Sequence, residues 1–261
     1  MDAAQILLVG GGAFLAGGMN AIAGGGTFFS FPALLAAGVP PVMANASNTV
    51  AMWPASLSSA WAYRREVSRH PRWTLLLVLV SLVGGISGSL LLLATSNAAF
   101  SRLVPWLLLV ATSLFAFSGQ ISRAVAAAKA KVGLGTRAAG TPGGLGGLVF
   151  QTIVAIYGGF FGAGMGILTL AALAIQGVDD MQELNGLKNL TSAVNYTVAA
   201  ATFIIAGAIS WPHTLLMIAT AMAGAFAGAA FARRLPAVWL RRLVVAVGAV
   251  LSLIYFIKTY A

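Results

Sequence analysis

The sequence predicts an all-α polytopic membrane protein built as an inverted repeat of two halves, each a glycine-broken helical hairpin plus three transmembrane helices. Three observations predict it. The first is composition: 59% of residues are hydrophobic, 8% are charged and the mean hydropathy is +0.93, whereas charged residues make up about a quarter of a soluble domain. The second is internal repetition. A shift of 140 residues places Gly24 and Gly26 on Gly164 and Gly166, and Asn45 on Asn185. Without a gap it also carries Gly84 and Gly88 onto Gly224 and Gly228, Thr74-Leu75-Leu76 onto Thr214-Leu215-Leu216, and Arg102-Leu103-Val104 onto Arg242-Leu243-Val244. The Asn, Thr and Arg matches carry the weight, since Ala, Leu and Gly recur everywhere in this chain. The third is a pair of apolar pieces too short to cross a bilayer, each directly after a glycine cluster.

Apolar stretches near the roughly 17 to 25 residues that cross a hydrocarbon core run about 3–23, 43–63, 73–95, 99–119, 144–163, 184–207, 213–232 and 238–259. The short pieces, 27–38 and 167–177, follow Gly24-Gly25-Gly26 and Gly162-Ala163-Gly164-Met165-Gly166. At about 1.5 Å per residue each covers roughly half the core. Such half-helices are tolerated at membrane depth where protein or a water-filled cavity surrounds them. The first repeat is therefore assigned to 1–119, a linker to 120–143 and the second repeat to 144–261. The linker is rich in Ala, Gly and Lys; a mobile join and a short surface helix over 122–132 fit it equally.

The net charge of +10 does not form a nucleic-acid surface, because the basic residues lie between apolar spans. Twelve of the fifteen Lys and Arg fall in three stretches: Arg64, Arg65, Arg69 and Arg72; Arg123, Lys129, Lys131 and Arg137; Arg233, Arg234, Arg241 and Arg242. Placed together in the cytoplasm, they direct 43–63 inward, 73–95 outward and 99–119 inward, then 184–207 outward, 213–232 inward and 238–259 outward. The second half then starts on the opposite side from the first, and both termini lie outside. Met1-Asp2 lacks the basic start of a secretory signal, so the first apolar stretch is kept as a membrane element.

The two half-helices begin at Thr27 and Ile167. If their glycine breaks lie near the midplane, both N-termini aim unsatisfied N–H groups at one central region, which suits an anion. Gly24, Gly25, Gly26, Thr27, Gly164 and Gly166 are candidate contacts. Gly84/Gly88 and Gly224/Gly228 are better explained as small residues that let helices pack. After each half-helix comes a polar run: Asn45, Ser47, Asn48 and Thr49 in the first half, Asn185, Lys188 and Asn189 in the second. Asn45, Asn48 and Thr49 share a helical face, as do Asn185, Lys188, Asn189 and Ser192, and polar groups of this kind must face away from lipid. They fit either an oxyanion site or hydrogen-bonded glue between helices. Lys188 lies in the span 184–207, away from the three basic stretches, and aligns with Asn48; it suits an anion site, or snorkels to the interface. All five acids, Asp2, Glu66, Asp179, Asp180 and Glu183, sit in loops or at span ends, which argues against a carboxylate-coupled cation transporter. Zero Cys removes thiolate metal sites, disulfides and thiol catalysis. No metal or cofactor is called for.

These residues resemble the TauE/SafE family of sulfite and organosulfonate exporters. The likeness lies in Gly24-Gly25-Gly26-Thr27 through Pro32, then Ala44-Asn45-Ala46-Ser47-Asn48-Thr49, and in the counterpart Gly158 to Gly166 with Asn185-Gly186-Leu187-Lys188-Asn189, and it covers nearly the whole chain. It implies a bacterial inner-membrane permease that moves small sulfur-containing anions outward, with ligand contact at Asn45, Ser47, Asn48, Thr49, Asn185, Lys188 and Asn189. Leu187 stands opposite Ser47, a departure that puts a hydroxyl from the second half in doubt.

A passive anion channel would share this lining. A rhomboid-like intramembrane serine protease is suggested by Gly85-Ile86-Ser87-Gly88, but such catalysis needs a histidine at similar depth, and the only two, His70 and His213, sit in a basic loop and at a span end. The expected partners are a small anion and the bilayer, with no nucleic acid, and self-association through an apolar face is left open.

Overall fold

The computed structural model describes residues 1–22, 25–67, 71–132, 145–176, 178, 180–232 and 237–260. Among them are eleven α-helices and no strand: α1 Ala3–Ile22, α2 Thr27–Ala36, α3 Pro41–Ala62, the single turn α4 Arg64–Val67, α5 Pro71–Ala94, α6 Asn97–Val132, α7 Leu145–Phe160, α8 Met165–Ile175, α9 Met181–Ile205, α10 Trp211–Ala232 and α11 Ala237–Tyr260. Ala3–Asn20, Pro71–Ala94, Asn97–Ile121 and Arg242–Tyr260 are long and apolar enough to cross a bilayer. Exposed Leu7, Leu75, Leu79, Phe226 and Leu253 face outward, where hydrocarbon would meet them. At 22 and 25 residues α3 and α9 also have the length, but they carry the polar runs and pack inside.

Local chemistry sets the ends. Pro41 opens α3 at the position where a missing N–H is harmless. Asp180 caps α9 by accepting from the Gln182 and Glu183 amides, so α9 begins three residues before the expected position 184. α8 likewise begins at Met165, two residues before Ile167. α2 ends where Gly38, at φ 84°, donates to Leu35 O and Val39 donates to Leu34 O, which is a Schellman closure. Into the expected linker, α6 continues unbroken to Val132; positions 133–144 lie outside the described residues.

Contacts fix the direction of each helix. Gln5, near the start of α1, donates to the Ala37 carbonyl past the end of α2, while Gly26, just before α2, lies against Ala16. The pair is an antiparallel hairpin whose break lies at the end of α1 and turns back beside Ala16. α7 and α8 repeat this: Gly147 meets Gln176 and Gly158 meets Met165. α3 starts where the first hairpin ends, so it runs parallel to α1, and α5 returns. Gly84 touches Ala155 and Gly88 touches Ile156 and Phe160, so α5 and α7 are parallel. Hence α7 runs opposite to its counterpart α1, and the repeat is inverted. The mirror contact is present too: Gly224 touches Phe14 and Gly228 touches Gly18, with α1 parallel to α10. With these directions Arg64, Arg65, Arg72, Arg123 and Arg242 all fall on one face, called the basic face below.

The α1–α10 and α5–α7 contacts are backbone against backbone, and a Cβ at Gly17, Gly88 or Gly224 would strike a carbonyl of the facing helix. Gly224→Ala should therefore lower stability by about 1–3 kcal/mol. Gly11→Ala, which meets nothing within 4 Å, should be neutral or gain up to about 1 kcal/mol from helix propensity. Melting temperatures of the detergent-purified variants check both.

Candidate functional site

Both glycine breaks open into one cavity of about 570 Å³. From the first repeat it is lined by Asn20, Gly25 and Thr27 at the break, by Met52, Ser56, Ser59 and Ala62 on α3 with Tyr63 capping its end, and by Phe115 on α6. The second repeat supplies Gly162, Gly164, Met165, Gly166, Ile167 and Leu170 around the start of α8, and Asn185, Lys188, Asn189, Ser192 and Tyr196 on α9. Ser59 and Ala62 near the end of α3 are exposed, and Arg64 and Arg65 follow at once. The cavity is thus a vestibule that opens at the basic face and ends at the two breaks.

The breaks need glycine for defined reasons. Gly25 and Gly164 have φ of 84° and 77°, a left-handed region that other residues avoid. Gly26 is right-handed, but a Cβ there would meet the Ala16 carbonyl. At α8 the Met165 and Ile167 amides donate back to Gly162 and Gly164, which winds the first turn tightly at the cavity edge. Tyr196 joins the breaks: its side chain hydrogen-bonds Thr27, and its hydroxyl lies 3.8 Å from where a Cβ on Gly162 would be.

Lys188 lies two turns into α9, deeper than the single turn expected from a start at 184, and its stem passes Gly166, where a Cβ would sit 3.6 Å from Lys188 Cδ. Among the described residues that line the cavity there is no carboxylate. An ammonium and the positive ends of two helices thus share a water-accessible space edged by amides and hydroxyls, an arrangement that attracts anions.

Of the expected contacts, Gly25, Thr27, Gly164, Gly166, Asn185, Lys188 and Asn189 line this cavity. Gly24 lies outside the described residues. Gly26 packs on α1. Asn45, Ser47, Asn48 and Thr49 are buried towards the opposite face, away from the cavity, and are engaged with protein. Asn45 Nδ2 donates to Phe160 O at 2.9 Å, the Ser210 amide donates to Ser47 Oγ at 2.9 Å, and the Thr49 hydroxyl donates to Asn45 O at 2.9 Å. The Ser30 hydroxyl donates to Asn48 Oδ1. Phe31, Phe100, Phe160 and Phe161 interlock edge to face beside them. This layer seals the face opposite the vestibule.

Sequence reasoning missed Ser56, Ser59, Tyr63 and Tyr196 as lining residues. A signal existed: Lys188, Ser192 and Tyr196 recur at a spacing of four, and Met52, Ser56, Ser59 and Tyr63 at spacings of four and three, so each set follows one helical face from the mouth inward.

Known proteins sharpen the picture. The family described as sulfite exporter TauE/SafE matches residues 9–255. The chain belongs to the TauE/SafE family. A probable membrane transporter protein of Haemophilus influenzae is 29% identical over 83% of this chain and 80% of its own length. A probable membrane transporter protein, ORF9, of a Sinorhizobium species is 26% identical over 92% of this chain and 88% of its own. The probable membrane transporter protein YfcA of Escherichia coli K12 is 26% identical over 92% and 85%. No solved structure matches. TauE/SafE membership and these relatives make the chain a multi-pass membrane transporter. In the serine motif, Gly85 and Gly88 are buried where α5 meets α9 and α7, Ser87 is exposed, and His213 pairs with Ser210 at 2.7 Å. His70 lies outside the described residues.

The chain contains no cysteine, so single cysteines report accessibility cleanly. In this TauE/SafE protein Ser59→Cys and Asn189→Cys should react with a membrane-impermeant maleimide from the basic face. Asn45→Cys should stay unreacted from either face in the conformation described. Labelling rates in oriented vesicles check this.

Proposed function

We propose that the protein is a carrier for small sulfur-containing anions, sulfite or organosulfonates, that works as an exporter in the bacterial inner membrane. One observation carries this reading: two half-helix N-termini and Lys188 converge on one vestibule, with no carboxylate among the described residues that line it. A sulfonate keeps its charge at any physiological pH and offers three acceptor oxygens. N–H groups at the breaks, the amides of Asn185 and Asn189 and the hydroxyls of Ser56, Ser192 and Tyr196 supply neutral donors, and Lys188 supplies one charge. Neutral donors hold an oxyanion without the tight grip of several cations, which favours release.

Direction follows from charge. The positive-inside rule assigns the basic face to the cytoplasm, so the vestibule meets intracellular solute first. Arg64 and Arg65 at its mouth raise the local concentration of anions. A carrier is favoured over a passive channel by the buried polar and aromatic layer that closes the far side. The repeats 1–119 and 144–261, joined across the cytoplasmic stretch 120–143, each supply equivalent elements to an alternating-access device in this scheme.

Counterflow in proteoliposomes tests the reading. Internal unlabelled sulfite, sulfoacetate, isethionate, taurine or thiosulfate should drive transient uptake of the same labelled anion, without single-channel currents. Currents, or absence of counterflow for the whole panel, would reject it. Lys188→Gln should weaken divalent sulfoacetate by about tenfold or more and monovalent isethionate by less. Equal effects on both would remove Lys188 from the site. Asn185→Leu should abolish most counterflow while the protein remains inserted.

A further inference from the structure

The repeats hold equivalent positions in two different environments, and the difference falls on one charge. The 140-residue shift maps Asn45, Asn48 and Ser30 of the sealed layer onto Asn185, Lys188 and Leu170 of the open vestibule. In the seal, Asn45 donates to the Phe160 carbonyl and Ser30 donates to Asn48, which is 2% exposed. The counterpart of Phe160 is Asn20, which lines the vestibule together with Asn185. Closing the basic face by the packing that the sealed face already displays would thus let Asn185 reach the Asn20 carbonyl. The same closure would press Lys188 against Leu170, a side chain with no acceptor. An ammonium shut away from water without a partner is strongly unfavourable.

We infer that the transported anion is the missing partner: Lys188 holds the vestibule open while it is empty, and pairing with an anion permits the basic face to close and the opposite face to open. This rests on the anion reading above and adds to it the event that triggers the conformational change. The sealed face carries no equal restraint, because Asn48 is neutral and already bonded. Its four interlocked phenylalanines, Phe31, Phe100, Phe160 and Phe161, have Ala171, Leu240, Asn20 and Ala21 as counterparts, so these equivalent positions supply no aromatic plug for the basic face. The empty protein therefore rests open to the basic face. By linkage, an anion that favours closure is held more tightly in the closed form.

Ala199 supplies the reporter. It is buried, and its counterpart Ser59 lines the open vestibule, so a cysteine at 199 is reached from the far side only after that side opens. Ala199→Cys protein in proteoliposomes is exposed to an impermeant maleimide from the sealed face. Labelling should be slow without anion and rise about tenfold with sulfoacetate. Adding Lys188→Gln should raise labelling without anion and flatten its dependence on sulfoacetate. Adding Leu170→Ser with Lys188→Asn, which rebuilds the Ser30–Asn48 pair on the open side, should give fast labelling with no anion present. Slow labelling in that last variant overturns the inference whatever anion is carried. Fast labelling there, with no sulfoacetate effect on the Lys188 protein, upholds the lock and rejects sulfoacetate as solute.

Discussion

The close backbone contact between α1 and α10, and its mirror between α5 and α7, is the constraint on which the rest of the molecule depends. Between helices in hydrocarbon no hydrophobic force remains, so association relies on packing and hydrogen bonds. Glycines at 17, 18, 224 and 228, and at 84, 88 and 159, remove the side chains that would hold these helices apart. Each hairpin is therefore clamped to the long helix of the other repeat. That clamp presents the tips of both hairpins to one another, and the cavity is the space left where the tips meet.

From this interlock follows a division that differs from the division of the chain. The hairpin α1–α2 rides with α10, and α7–α8 rides with α5, while α3 and α9 cross at the pseudo-two-fold, tied by the Trp53–Thr197 hydrogen bond at 2.9 Å. Polar residues on α3 and α9 consequently occupy two chemically similar layers at different depths. One layer is buried and tied into the protein by hydrogen bonds from Asn45 and Ser30 and to Ser47. The other is wet, cationic and edged by helix N-termini. Their likeness in sequence and unlikeness in surroundings is what a two-state transporter requires, since each layer must be able to serve as either wall or gate.

Much of this was legible in the chain. The spans, half-helices and inversion follow from glycine clusters, apolar run lengths and the placement of arginines, because these respond to bilayer thickness and charge, which act locally. Helix starts at 165 and 181 were misplaced by two and three residues. The reason is local as well: α8 begins inside its glycine cluster, and Asp180 acts as a cap in an otherwise acidic loop. What sequence could not separate was which polar run faces water. Asn45 and Asn185 are the same residue at the same repeat position, and only the conformation distinguishes a hydrogen bond to Phe160 from a place on a vestibule wall. The second tyrosine, Tyr196, escaped notice for a different reason: a hydroxyl two turns beyond Asn189 on the same helical face resembles interhelical glue until the Thr27 contact is seen.

Parity has an evolutionary corollary. A hairpin that returns to its own side adds no crossing, so each repeat traverses the membrane three times, and fusing two such units end to end must flip the second. No new insertion signal is required. What must change is charge, and there the copies have diverged: Arg64 and Arg65 stand where the other copy has Ile204 and Ile205, and Arg233 and Arg234 stand where it has Leu93 and Ala94. A single unit without this imbalance would have nothing to choose its orientation.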